Sequence, residues 1–268
     1  MNSESVILRD VSIGYRQRHS QRLVAEHLSA GIAAGRLTCL LGENGVGKST
    51  LLRTLSGFQS RMAGNITIDG RSLDDYTDRE LARTVGVVLT ERPDVQQMTV
   101  SELVELGRSP YTGFWGRLSD ADVAVCREAI SLVGIESLST RMVTTLSDGE
   151  RQKVMIAKAL AQQTPIIYLD EPTAFLDYPA KVDMLLLLRR ISHEAGKTVF
   201  LSTHDLELAL QVADVVWLME RGGRLSIGSP RQLAADGVLT RFVERSQGVR
   251  FDASSLAVSV LTADEENG

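Results

Sequence analysis

Between Gly42 and Ser49 the chain reads Gly-Glu-Asn-Gly-Val-Gly-Lys-Ser, a fit to the pattern G-x-x-x-x-G-K-[ST]. Glycines allow backbone angles closed to residues with a Cβ, so successive N–H groups can turn inward as a nest for an anion. Lys48 then brings a full positive charge to the outer phosphates of a nucleotide, and the Ser49 hydroxyl reaches a magnesium ion. The apolar run LTCLL before the loop predicts a strand, and STLLRTLSG after it predicts a helix whose N-terminus adds partial positive charge. This spacing implies a nucleoside triphosphate site.

The run Ile166-Ile167-Tyr168-Leu169-Asp170-Glu171-Pro172 is an apolar strand that ends in two adjacent carboxylates. In an open α/β sheet such an end lies where ligands bind. Asp170 is placed to hold magnesium, directly or through water, and Glu171 to orient and polarise an attacking water. Taken alone, the triplet is also an ordinary strand exit; beside a phosphate loop it reads as the hydrolytic pair. A third feature, Leu146-Ser147-Asp148-Gly149-Glu150, contains the capping box S-x-x-E ahead of the amphipathic run RQKVMIAKALAQQ. By capping alone it is a helix start. Its place upstream of Asp170–Glu171, with His204 following a further apolar strand, gives it more weight.

With these features in order, the chain resembles the ATP-binding subunit of an ATP-binding-cassette (ABC) transporter, over roughly Val6 to Gly228. Tyr15 sits where the family stacks an aromatic ring on adenine, and Gly42, Glu43, Asn44, Gly45, Val46, Gly47, Lys48 and Ser49, with Thr50 beside them, match its phosphate loop. Ser147 and Gly149 match the signature, Asp170 and Glu171 the second Walker motif, Asp177 the D-loop and His204 the switch histidine. The resemblance implies ATP and Mg2+, with Ser49 and Asp170 on the metal and Glu171 and His204 in catalysis. It also implies a homodimer that sandwiches ATP between the phosphate loop of one copy and the signature of the other. Hydrolysis then loosens the dimer and drives a separate polytopic permease.

Two departures stand out. The family usually carries a glutamine at the end of the strand before its helical lobe; here that strand runs into Thr90-Glu91, with no glutamine until Gln96. Glu91 is expected to take its place by ligating magnesium; the alternative is Thr90, holding a water. The signature also has Asp148 where a glycine is usual, and a carboxylate there is expected to point away from phosphate.

The segment from Leu106 to Leu118, LGRSPYTGFWGRL, places Tyr111, Phe114 and Trp115 among glycines with arginines on both sides. It reads either as a packed loop with aromatic anchors or as a docking surface. It resembles the G-R-x-P stretch of ATPases that serve importers of ferric siderophores, haem and vitamin B12. That implies a bacterial importer subunit, peripheral on the inner face of the cell membrane, which works indirectly with an external substrate-binding protein. A soluble ABC-type ATPase acting on nucleic acid or ribosomes is the alternative. No coiled-coil insertion, zinc module or second cassette supports it.

The elements that must position these residues follow from composition and pattern. The 268 residues are 43% hydrophobic and 24% charged, which excludes general disorder. A net charge of −5 speaks against nucleic acid as a partner. The longest dense apolar patch, Met184 to Leu188, is far below the ~18 residues of a membrane span, and the N-terminus lacks a signal-peptide pattern. Cys39 and Cys126 have neither metal nor disulfide spacing and read as buried thiols in a reducing, cytosolic compartment. His19, His27 and His193 are scattered and read as surface residues. Arg16 to His19 reads as a solvated turn after Tyr15.

Apolar runs at Val6 to Tyr15, Leu37 to Leu41, Val85 to Leu89, Ile166 to Asp170, Thr198 to Ser202 and Val215 to Met219 alternate with helical patterns. Those patterns lie at Ser49 to Ser56, Pro179 to Glu194 and Leu206 to Val212, which predicts a parallel sheet covered on both faces. Thr99 to Gln163 holds only helical patterns, at Val100 to Gly107, Asp120 to Val133 and Gly149 to Gln163. The fold expected is therefore α/β, a P-loop NTPase (RecA-like) core with an inserted α-helical subdomain, the ABC ATPase fold. The expected divisions are 1–98 for the first part of the ATP-binding core with an antiparallel β subdomain and 99–163 for the helical signature subdomain. The second part of the core follows at 164–231, and a C-terminal helix and tail at 232–268. Within the last, GVRFDASSLAV is open between strand pairing and subunit contact, and the acidic end ADEENG is expected to fray.

Overall fold

The structure is a computed structural model of the chain and describes residues 4–17, 20–90, 95, 97–113, 115–245 and 248–260. The first strands, β1 (Glu4–Gln17) and β2 (Ser20–Ala33), form a long antiparallel hairpin, followed by β3 (Leu37–Gly42) and α1 (Lys48–Leu55). Next come β4 (Ala63–Ile68), β5 (Arg71–Ser72), α2 (Asp78–Thr84) and β6 (Val85–Val88). A lobe of three helices, α3 (Val100–Glu105), α4 (Asp120–Leu132) and α5 (Asp148–Ala161), precedes β7 (Ile166–Asp170). The chain then forms α6 (Tyr178–Glu194), β8 (Thr198–Ser202), α7 (Leu206–Val212), β9 (Val215–Met219) and β10 (Leu225–Gly228). It closes with α8 (Pro230–Ala235), α9 (Val238–Val243), β11 (Val249–Asp252) and β12 (Ala257–Val260).

The central sheet has the order β10-β9-β3-β8-β7-β6, parallel except for the β9–β10 pair. Its strands are buried on both faces because side chains alternate along a strand. Leu37, Cys39 and Leu41 of β3, Ile167 and Leu169 of β7, and Val199 and Leu201 of β8 join one core with α6, α7 and the lobe. Leu40, Tyr168, Phe200 and Trp217 point the other way, into a second core shared with α1 and the antiparallel sheet β2-β1-β4-β5. Phe200 stands edge-on to both Tyr168 and Trp217, with centroids 5.9 and 5.0 Å apart, a favourable aromatic arrangement. The two sheets and α1 therefore fix the C-terminal ends of β3 and β7 relative to one another.

Each lobe helix starts with a reciprocal cap. Thr99 pairs with Glu102, Ser119 with Asp122 and Ser147 with Glu150, so the exposed first-turn N–H groups are satisfied locally. Arg16 and Gln17 extend β1 and pair with Gln21 and Ser20; the solvated turn expected over 16–19 therefore does not begin before residue 18, and residues 18–19, His19 with them, lie outside the described residues. The stretch GVRFDASSLAV pairs as a hairpin, β11 with β12, and anchors through buried Phe251 and a bond from Val258 N–H to Glu207 at 2.8 Å. The acidic end lies outside the described residues. Cys39 and Cys126 are free and buried, and burial raises both thiol pKa values, Cys126 to about 11. His27 is exposed and paired to Asp10 at 2.7 Å, and His193 meets Asp214 at 2.8 Å. No helix among the described residues is long and apolar enough to cross a membrane.

Candidate functional site

The loop between β3 and α1 turns on glycines. Gly47, the N-cap of α1, has φ +117°, and a Cβ there would meet Val24 Cγ1 at 2.5 Å; Gly45 has φ +77°. Both conformations exclude most side chains. Lys48 is buried under the loop and donates to the carbonyls of Gly42 at 2.8 Å and Glu43 at 3.2 Å. Burial lowers its pKa, while the charges of Glu171 and Asp170 act in the opposite direction. Those three groups therefore share one electrostatic environment. Glu43 turns its carboxylate outward to Arg221 at 3.0 Å and Arg245 at 3.8 Å, so it serves the loop through its backbone.

Ser49 Oγ donates to Asp170 Oδ1 at 3.1 Å, and Ser202 Oγ donates to the same oxygen at 2.7 Å. Asp170 is buried, at the end of β7. Glu171 follows with φ +47°, and its carboxylate lies 3.6 Å from His204 Nδ1. Thr90, just past β6, donates to the Asp170 carbonyl at 2.8 Å. Glu91 and Gln96 lie outside the described residues. Tyr15 is 44% exposed, and its hydroxyl is 2.9 Å from Thr50 Oγ1. A cavity of about 320 Å³ opens here, bounded by Tyr15, Arg22, Asn44, Lys48, Thr50 and Glu171. A larger cavity of about 630 Å³ lies on the other side of Tyr15, toward Phe58 and Leu89, and none of the phosphate loop lines it.

The remaining expected residues form a second group. Ser147 caps α5, its first-turn neighbour Asp148 is exposed, and a Cβ on Gly149 would sit 3.9 Å from Leu176 and 4.0 Å from Ala180. Asp177 caps α6 by accepting from Ala180 N–H at 3.0 Å. The start of α5 and the start of α6 thus adjoin each other. Tyr15, the phosphate loop, Asp170, Glu171 and His204 make up the first group.

Three features escaped the sequence reading. Ser202 bonds both Asp170 and the Glu171 N–H, and the only signal was a serine at a strand end two residues before His204. Asp205 holds Lys181 at 2.8 Å and Thr173 at 3.0 Å, which ties α6 to the segment after Glu171. Arg108 is not a docking flank but a buried strut: it reaches Asp122 at 2.9 Å, Ala161 carbonyl at 2.8 Å and Gln163 at 2.9 Å. Tyr111 is half-buried between Arg83 and Arg108, with guanidinium carbons 4.9 and 4.0 Å from its ring. Trp115 is 83% exposed, and Phe114 lies outside the described residues. The segment divides at about residue 112 between a packed part and an exposed one.

Phosphate binding and an acidic strand end are shared by all P-loop nucleoside triphosphatases. The helical lobe inserted between the neighbouring strands β6 and β7 narrows the class to the cassette ATPases. The chain belongs to the ABC transporter family, which matches residues 25–174. It is an ATPase that binds ATP, as members of that family do. Among its relatives, the ferric enterobactin transport ATP-binding protein of Escherichia coli (strain K12) is 37% identical over 227 residues, covering 85% of this chain and 82% of that one. The iron(3+)-hydroxamate import ATP-binding protein of Bacillus subtilis (strain 168) is 32% identical over 265 residues, 98% of this chain and 96% of that one. A dimeric ATP-binding cassette in a post-hydrolysis state with ADP and Pi superimposes with a TM-score of 0.72 at 27% identity, covering 84% of this chain and 98% of that one.

Proposed function

We propose that the chain is the ATP-hydrolysing subunit of an importer for an iron chelate, a ferric siderophore or haem, or for vitamin B12. A separate polytopic permease carries the cargo, delivered by an external substrate-binding protein. The subunit works as a homodimer, peripheral on the inner face of the bacterial cell membrane, and takes no nucleic acid. Residues 1–98 and 164–231 form its ATP-binding core, 99–163 its signature lobe and 232–268 its C-terminal extension. The observation that carries this reading is the agreement between iron-chelate relatives that match most of both chains.

In this reading the loop N–H groups and Lys48 hold the ATP phosphates, Tyr15 packs on the base, and Ser147 and Gly149 present a helix N-terminus to the partner copy's nucleotide. Asp177 lies beside that contact. The hydroxyl of Ser49 and the carboxylate of Asp170 are hard oxygen donors 3.1 Å apart, and they suit Mg2+. Bound magnesium supplies charge neutralisation on the phosphates. Glu171 orients and deprotonates the water that attacks the terminal phosphate, and His204 stands beside it.

A tagged pull-down from detergent-solubilised native membranes, read by mass spectrometry, tests the proposal. A polytopic permease of the metal-chelate class is the expected companion. Ribosomal proteins or nucleic acid with no permease would favour the alternative and remove the transport assignment.

A further inference from the structure

The peptide bond joining Asp170 to Glu171 is gripped at both of its polar atoms by hydroxyls on its two sides, one from Thr90 just past β6 and one from Ser202 at the end of β8. On the β6 side, Thr90 Oγ1 donates to the Asp170 carbonyl at 2.8 Å. On the β8 side, the Glu171 N–H donates to Ser202 Oγ at 2.9 Å and also approaches the Ser202 carbonyl at 3.2 Å. Ser202 is fully buried, and its own proton goes to Asp170 Oδ1 at 2.7 Å. One serine therefore fixes the Asp170 carboxylate and the backbone of Glu171 together.

This grip falls on a strained residue. Glu171 holds φ +47°, a left-handed conformation that a side chain with a Cβ adopts only when its surroundings impose it. The strand flanks supply that imposition. Loss of either hydroxyl removes one restraint on the peptide plane and widens the range of directions open to the Glu171 carboxylate, although the Glu171 N–H keeps its approach to the Ser202 carbonyl.

We infer that Thr90 and Ser202 are positioning residues for hydrolysis, which set the direction of the two carboxylates by fixing the peptide plane between them. The inference rests on Asp170 and Glu171 being the hydrolytic pair. Neither residue need touch ATP, so the step affected is turnover and not binding. Thr90 thereby has a role at the position after β6 that does not depend on its ligating metal.

The test compares Thr90→Val, Thr90→Ala, Thr90→Ser and Ser202→Ala in the full chain, with kcat and KM for MgATP measured separately. Misplacement of a reacting group by about an ångström costs up to roughly a hundredfold in rate, so kcat in the Val, Ala and Ser202 variants is expected to fall by about ten- to a hundredfold. KM is expected to stay within about twofold, as for an interaction made only in the transition state. Thr90→Ser, which keeps the hydroxyl, is expected to restore turnover. Wild-type kcat in Thr90→Ala or Ser202→Ala would overturn the inference, as would a loss accounted for by KM. Glu171→Gln is run alongside: if it retains full turnover, the hydrolytic pair itself is misassigned, whereas its failure beside an intact Thr90→Ala strikes only the positioning role.

Discussion

Ser49 Oγ and Asp170 Oδ1 meet at 3.1 Å, although 121 positions separate them in the chain. Ser49 lies in the first turn of α1 and Asp170 closes β7, so this contact joins the glycine-rich loop and its helix to the acidic strand end through one pair of oxygens. In the proposed site the same pair would hold magnesium. Loss of the hydroxyl would then remove one of the two proposed ligands and leave the carboxylate bonded to Ser202.

From that pair, Ser49→Ala is expected to raise the magnesium concentration needed for half-maximal ATP hydrolysis, on the order of tenfold or more. Lys48→Ala, which removes the buried charge of the loop, is expected to abolish hydrolysis and most ATP affinity. Magnesium titrations of steady-state ATPase and a fluorescent-nucleotide binding assay read the two. An unchanged magnesium requirement in Ser49→Ala would remove that residue from the metal site.

Glu171→Gln keeps the size and shape of the side chain but exchanges a carboxylate oxygen for an NH2 group and cannot accept a proton from water. General-base loss costs roughly 10²–10⁴-fold in rate, while the loop that holds ATP is untouched. The variant is therefore expected to bind ATP and accumulate as a dimer, because the nucleotide persists between copies. Light scattering with ATP present decides the point; an ATP-loaded monomer counts against the sandwich arrangement.

Gly107→Ala probes the packing of the lobe. A Cβ at this position would lie 2.3 Å from the backbone carbonyl of Lys158 on α5, so a methyl group forces the two segments apart. Overpacking of this kind costs about 1–3 kcal/mol, which for a chain of this size lowers Tm by roughly 2–10 °C. Thermal unfolding by circular dichroism should show the loss, with KM for ATP unchanged because Gly107 lies outside the nucleotide cavity. A wild-type Tm would mean that the close approach of residue 107 to α5 is not maintained in solution.

Much of this architecture was legible because local signals agreed. The central strands are short apolar runs, and the lobe helices show helical patterns, the last of them opened by the Ser147–Glu150 capping box. The antiparallel sheet was less visible. Strand β2, SQRLVAEHLSAGIA, mixes charge, alanine and glycine, and among its fourteen residues only Ala25, Leu28 and Ile32 are buried. Its strand character comes from pairing with β1, a tertiary effect that propensity does not carry. Arg108 misled for a related reason. A guanidinium is buried only when its partners are in place, and Asp122, Ala161 and Gln163 are 14, 53 and 55 positions away. In the candidate site, side chains whose types suggest a chemistry stood out in the sequence. The hydroxyl of Ser202 did not, because its importance lies in what it holds.

Asp122, held in the α4 cap by Ser119 and paired with Arg108, also sets a pH dependence. Asp122 has its pKa lowered to about 2, first by the Ser119 hydroxyl, then by the Ser119 N–H and then by Arg108. In the unfolded chain an aspartate titrates near 3.9, so the folded lobe holds the charged form more tightly. A depressed folded pKa gives stability that is fully present above the unfolded value and disappears as pH falls toward the folded one. The contribution of Asp122 is therefore expected to be constant from neutrality to about pH 5 and to decline between about pH 4 and 2. Glu80 and Asp252 also titrate near 2, so the acid limb of the wild-type chain alone does not isolate Asp122. The difference between wild type and Asp122→Asn does. Urea unfolding of both at a series of pH values should give a stability gap that is flat above pH 5 and narrows on acidification. A gap independent of pH would mean that the aspartate acts through its shape and hydrogen bonds, with no part played by its charge.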